Sequence, residues 1–145
     1  MRQLVVGSVS IKSDVVNSDP LESGRRKILN FGHTLGHAVE AESGYLLRHG
    51  EAISIGMVLE ARIGERVGVT AAGTAARLEK ALDDAGLPVK TNLDAAQLLA
   101  RTYGDKKKVA GRVEYALHTT IGRFEKWTTP VEDADVLAVL RESAG

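Results

Sequence analysis

Apolar residues recur at three- and four-residue steps along most of the chain, and this periodicity predicts a mainly helical fold. Leu4 to Asp19 reads as a first helix, with Val5, Val9 and Val16 on one stripe and Leu4, Ile11 and Val15 beside it; Pro20 ends it, because a residue before proline avoids helical geometry. A polar loop, Asp19 to Lys27, leads into a second helix on which Leu29, His33, Gly36, His37 and Glu40 share a face and Leu35, Ala38 and Val39 form an adjoining apolar stripe. A turn at Ser43-Gly44-Tyr45 separates it from a third, Glu51 to Val67, with Ala52, Ile55, Gly56, Leu59 and Ile63 inward, Glu60, Arg62, Glu65 and Arg66 on the wet side, and Gly68 as cap. Further helices are expected from about Thr70 to Ala85, stopped by Gly86 and Pro88, and from after Asn92 to about Thr102. Val113 to Ile121 alternates as a strand, with Gly122 as turn and Phe124 to Thr128 as partner, making a small β-hairpin. Thr128 or Thr129 then caps a last helix with Pro130 in its first turn and Val136, Leu137 and Leu140 inward.

The 145 residues suffice for one domain with a real core, and no internal repeat or long linker divides them. Lys plus Arg and Asp plus Glu stand at 19 each, so no net field calls for nucleic acid or an anionic membrane, and attraction for a phosphorylated ligand must be local. Cysteine is absent, which removes disulfides and thiolate metal sites. No apolar run approaches the ~20 residues of a membrane span and no signal-peptide pattern opens the chain, so a soluble cytoplasmic protein is the expectation. A glycine-rich strand-to-helix turn, the dinucleotide fingerprint, is also missing from the pattern.

Chemistry concentrates between Arg25 and Glu51, which hold three of the four histidines. His33 and His37 stand four apart, one helical turn, so both imidazoles point the same way. The turn after Gly44 is placed to bring His49 back beside His33, and neutral imidazoles from two elements are suitable zinc ligands. The bland alternative is a set of partly buried core histidines bonded to backbone carbonyls. Polar company at Lys12, Glu22, Arg26, Asn30 and Thr34 favours an anionic small molecule near a metal. Gly32 and Gly36 each lower helix propensity by roughly 1 kcal/mol against Ala, which close approach of a backbone or a ligand would offset. Tyr103 to Val109, with Lys106, Lys107 and Lys108, reads by itself as a solvated charge cluster. His118 has no partner in the pattern and is expected to be structural.

The run Asn30-Phe31-Gly32-His33-Thr34-Leu35-Gly36-His37-Ala38-Val39-Glu40, followed by His49-Gly50-Glu51-Ala52 and Gly56-Met57, resembles the C-terminal domain of the 3-dehydroquinate synthases. The flanks agree: Lys12 with Val15-Val16, Asp19, Glu22-Ser23-Gly24 and Arg26 upstream, and Asp105-Lys106-Lys107 with Gly111 downstream. The resemblance covers essentially the whole chain. It implies the multi-helix domain of that fold and a role in converting 3-deoxy-D-arabino-heptulosonate 7-phosphate to 3-dehydroquinate plus phosphate, in the shikimate pathway. It implies zinc or another divalent metal on His33 and His49, proton transfer by His37 and Glu22, and substrate contacts from Lys12, Arg26, Asn30 and a lysine at 106 or 107, with Lys107 the choice.

The same resemblance implies an NAD-binding half and a glutamate as third metal ligand, neither of which has a match in these residues. The expectation is therefore an incomplete catalytic half whose NAD-binding half is a separate chain or a missing segment, and a homodimer like the family's. Three readings compete with it. One is a sister sugar-phosphate cyclase or a metal-dependent polyol dehydrogenase; the second is a helical remnant serving only as an interaction module. The third is a self-contained zinc site made of His33, His37 and His49.

Overall fold

Gly32 divides the expected histidine helix in two. The computed structural model describes residues 1–104 and 111–144, and in it a 3-10 helix, Arg25–Asn30, precedes an α-helix, α2, His33–Glu42. At the junction Gly32 adopts φ +80, left-handed geometry that suits glycine and stops one helix from running into the other. Upstream, α1 occupies Arg2–Ser18. Downstream come α3, His49–Arg66; α4, Thr74–Asp84; α5, Ala95–Thr102; strands β1, Val113–Tyr115, and β2, Thr129–Val131; and α6, Asp133–Glu142. Among the described residues the fold is mainly helical with a two-stranded antiparallel hairpin, as the pattern predicts, and no helix is long and apolar enough to cross a membrane.

The centre of the packing is α3, which contacts α2, α4 and α6, while α5 bridges α2 and α6. Leu35 and Val39 of α2 meet Ile55, Leu59 and Ile63 of α3, with Leu98, Tyr115 and Val136 closing the core. The approach of α2 to α3 is set by three glycines. A Cβ on Gly56 would fall on the carbonyl oxygen of Gly32 and lie 2.5 Å from the amide nitrogen of Gly36, both backbone atoms. A Cβ on Gly36 would stand 2.7 Å from Cδ1 and 3.0 Å from Cα of Ile53. This close passage is the structural return for the helix propensity lost at Gly32 and Gly36.

Glu60 departs from the expected pattern. Placed on the wet side of α3 by periodicity, it is fully buried, and its carboxylate accepts from the amides of Gly32 at 2.7 Å and Leu35 at 3.0 Å. These amides open α2 and have no partners within their own helix, so the carboxylate satisfies them and lies at the positive end of the helix dipole. Ile53, Gly56, Met57 and Glu60 form the arc of α3 that faces α2, and a charge on that arc is tolerated because orphan donors meet it.

Three other expectations shift. The apolar stripe of α1 is largely uncovered: Leu4, Val5, Val9 and Ile11 are exposed and only Val15 is buried. The fourth helix starts at Thr74 rather than Thr70, because the Thr70 hydroxyl is buried and donates to the His118 carbonyl at 2.5 Å. The hairpin is also drawn differently. Gly122 makes its turn, but only one isolated bridge, Thr120 to Arg123, forms there, and β1 pairs instead with β2 in the register Val113 to Val131 and Tyr115 to Thr129. Tyr115 to His118 are buried in succession, so the two-residue alternation that a longer strand would need is lost. Pro130 therefore lies in a short edge strand, and Glu132 rather than Thr128 or Thr129 precedes the last helix. Val136 and Leu140 are buried there as expected.

The loop into the 3-10 helix is tied by Asp19. Its carboxylate accepts from the Ser23 amide and hydroxyl, both at 3.0 Å, and from the amides of Gly24 at 2.7 Å and Arg26 at 3.0 Å. Bonds from the Arg26 and Gly24 amides, which favour the charged form, hold its pKa down at about 2, from the usual 3.8.

Two measurements test this scaffold. Gly56→Ala should lower stability by about 3 kcal/mol or more in urea unfolding, because backbone must move. Gly50→Ala, whose added Cβ meets nothing within 4 Å, should be neutral or slightly stabilising. Because the folded-state pKa of Asp19 is depressed, its contribution is full above 3.8 and is lost as pH falls towards about 2. The Gly24 and Arg26 amide resonances should titrate together near that lower value, and Asp19→Asn should abolish the transition.

Candidate functional site

The start of α2 and the start of α3 converge on one side of the glycine contact. His33 opens α2, His37 follows one turn later, and His49 is the first residue of α3. Gly44 and Tyr45 reverse the chain between the helices in left-handed geometry, φ +66 and +61. Tyr45 is notable there because non-glycine residues seldom adopt positive φ. Ring centroids are 5.4 Å apart for His33 and His37, and 5.7 Å for His49 against each of the others. Three imidazoles from two helices thus form a near-equilateral group. His33 and His37 are half-buried and His49 is exposed.

The hydrogen bonds around the group are informative. Nδ1 of His33 lies 3.2 Å from the carbonyl oxygen of Phe31, and Nδ1 of His49 lies 3.3 Å from Oε2 of Glu40. Ligand atoms of His37, Glu40 and His49 all lie within 4.8 Å of one another. Imidazole nitrogens and carboxylates are donors suited to zinc or cobalt, and His33 adds a further imidazole whose ring lies 5.7 Å from that of His49, so the residues present fit a divalent ion. A groove of about 630 Å³ runs between α2 and α5 past His37 and Glu40, with Thr34, Tyr45 and Arg101 on its walls.

Glu22 and Asn30 form a second group. Asn30 Nδ2 donates to Glu22 Oε1 at 3.1 Å, and Glu22 holds φ +55, a strained value for a non-glycine residue of the kind found at functional sites. The Asp19 bonds hold this loop, and Arg26 follows it in the 3-10 helix, its guanidinium donating back to the Pro20 carbonyl at 3.0 Å. Lys12 is exposed on α1, the helix that packs on the 3-10 segment. Lys106 and Lys107 lie outside the described residues. The structure therefore brings His33, His37 and His49 together and pairs Glu22 with Asn30.

Two residues take a part in the structure that the sequence reading did not assign. Periodicity put Glu40 on the histidine face, three residues after His37, without giving it a role. Glu60 was hidden because its carboxylate is recruited by another helix's amides, a contact that spacing within α3 does not encode. His118 is buried, its ring centroid 4.3 Å from that of Phe31 with the planes tilted by 57°, and burial lowers its pKa.

Comparison with known proteins follows the same residues. Residues 1–108 match the family model described as 3-dehydroquinate synthase C-terminal. The chain is 41% identical over 150 residues to 3-dehydroquinate synthase of Xanthomonas campestris pv. campestris (strain 8004), covering 98% of this chain and 40% of that protein. It is likewise 41% identical over 147 residues to 3-dehydroquinate synthase of Xylella fastidiosa (strain M23), covering 96% and 39%. A crystal structure of 2-deoxy-scyllo-inosose synthase complexed with carbaglucose-6-phosphate, NAD+ and Co2+ superposes with a TM-score of 0.80 at 26% identity, over 93% of this chain and 40% of that one. The chain thus spans about 40% of the length of the relatives it matches. From the His33–His37–His49 motif, the helical fold and the extent of these matches, the chain belongs to the 3-dehydroquinate synthase family and corresponds to its C-terminal domain.

Proposed function

We propose that this chain is the metal- and substrate-binding half of a 3-dehydroquinate synthase, a phosphate lyase that converts 3-deoxy-D-arabino-heptulosonate 7-phosphate to 3-dehydroquinate. The observation that carries the reading is the convergence of His33, His37 and His49, within 5.7 Å of one another, in a family member 41% identical to named synthases. A sister sugar-phosphate cyclase is the second reading, favoured by the TM-score of 0.80 with 2-deoxy-scyllo-inosose synthase. The higher identity to the dehydroquinate enzymes ranks it below the first.

In this reading His33 and His49 hold the divalent ion. When bound, that ion acts as Lewis acid on the substrate alcohol that undergoes transient oxidation. His37, one turn from His33 and beside the groove, takes and returns the proton that moves as phosphate leaves. Glu22, which accepts from Asn30, is the second proton acceptor in this reading. Arg26 presents a planar fork for carboxylate or phosphate, and Asn30 presents a donor and an acceptor for hydroxyls. Lys12 and a lysine at 106 or 107 supply the remaining positive charge for the phosphorylated sugar acid.

Among the described residues no strand leads into a glycine-rich helix start, the pattern that cradles a dinucleotide's pyrophosphate. The hydride chemistry is assigned to residues outside this chain, and this chain alone is expected not to turn over. Its own contribution is binding, orientation and proton transfer.

Calorimetric titration of the purified chain with Zn2+ tests the assignment. His33→Ala and His49→Ala should each weaken binding at least tenfold, about 1.4 kcal/mol, whereas His37→Ala should stay within about threefold of wild type, which is under ~0.7 kcal/mol. Equal loss in all three variants would establish a self-contained three-histidine site instead. In the metal-loaded chain, 3-deoxy-D-arabino-heptulosonate 7-phosphate should bind more tightly than glucose 6-phosphate. The reverse order would favour the sister cyclase.

A further inference from the structure

We propose that Glu40 is the positioning residue of the metal centre: it holds His49 as the Nδ1–H tautomer and so presents Nε2 to the divalent ion. The inference rests on the reading that His33 and His49 hold that ion. It adds a residue to which the family resemblance gives no role.

The geometry at the two histidines is parallel. At His33 the acceptor 3.2 Å from Nδ1 is a backbone carbonyl, and at His49 the acceptor 3.3 Å from Nδ1 is the Glu40 carboxylate. A carbonyl and an ionised carboxylate only accept, so in each ring the proton sits on Nδ1 and the lone pair on Nε2. Metal-bound histidines ordinarily use this arrangement, one nitrogen on the ion and the other donating to a carboxylate or carbonyl, which fixes the ring and raises its basicity.

The need for a partner differs between the rings. His33 is half-buried where α2 begins, and packing restrains it. His49 has 56% of its side chain exposed, and Glu40 is its only hydrogen-bond partner among the described residues. Glu40 itself is 21% exposed, so its charge is partly shielded from water and acts on the imidazole more strongly than a surface carboxylate would. The contact also crosses the Gly44–Tyr45 reversal, from the last turn of α2 to the first residue of α3. Without it an exposed ring at a helix start would sample several rotamers and both neutral tautomers.

The distance also suits a second role. Donor atoms on one tetrahedral zinc with bonds of 2.0–2.1 Å stand ~3.3 Å apart, so Glu40 as a direct ligand beside Nδ1 of His49 is the arrangement to be distinguished from positioning.

The test uses the whole chain with isotopically labelled histidine. In the metal-free protein, long-range 15N–1H correlation should show His49 as the Nδ1–H tautomer, and Glu40→Ala should convert it to a mixture, with Glu40→Gln between the two. Co2+ titration followed by absorbance should show affinity lowered 10- to 100-fold in Glu40→Ala and less in Glu40→Gln, with the band positions of the bound ion unchanged in both. Unchanged tautomer and affinity within twofold in Glu40→Ala would overturn the proposal. A shift of the Co2+ bands in Glu40→Gln would also overturn it, by making Glu40 a ligand. Co2+ binding that ignores His33→Ala and His49→Ala would instead remove the metal assignment underneath, an outcome separable from the first two because the tautomer is read without metal.

Discussion

The backbone contact between α2 and α3 is the constraint from which the site follows. Gly32, Gly36 and Gly56 leave no room for a side chain between the helices, and the Glu60 carboxylate fills the remaining polar need by accepting from the Gly32 and Leu35 amides. A fully buried charge is unfavourable unless donors surround it, and here the donors are the orphan amides of a helix start. Packing and electrostatics therefore reinforce each other at one place. They fix where α2 begins, and thus where the ring of His33 stands.

From that fixed start, local geometry builds the rest. One helical turn sets His37 beside His33, and the Gly44–Tyr45 reversal returns the chain so that His49 completes the group. On the other side of Gly32 the 3-10 helix carries Arg26 and Asn30, and Asp19 ties the preceding loop so that Glu22 meets Asn30. The two groups of polar residues thus flank one rigid junction. Rigid elements hold side chains to a geometry that loops alone do not maintain.

Family membership narrows the chemistry without completing it. The chain matches about 40% of its relatives' length, and its described residues bring three imidazoles together beside the Glu40 carboxylate. Its uncovered apolar stripe on α1 contrasts with the well-filled core around α3. Helical periodicity detects an apolar face whether or not anything in the same chain covers it.

Much was legible from residue order, because helices and their short connections are local. The three-to-four-residue rhythm, the stop at Pro20, the reversal at Gly44 and the one-turn spacing of His33 and His37 follow from interactions between near neighbours. So did the gathering of the three histidines, once the reversal was seen. Tertiary structure alone decided what depends on distant groups. Glu60 reads as a surface charge by its own helix and is buried by the amides of another. The Val113–Tyr115 strand finds Thr129–Val131 rather than the segment after Gly122, because the successive burial of Tyr115 to His118 removes the alternation a local hairpin requires. Glu40 reaches His49 only after the chain has turned back. In each case the partner lies on another element, and spacing along one element carries no information about it.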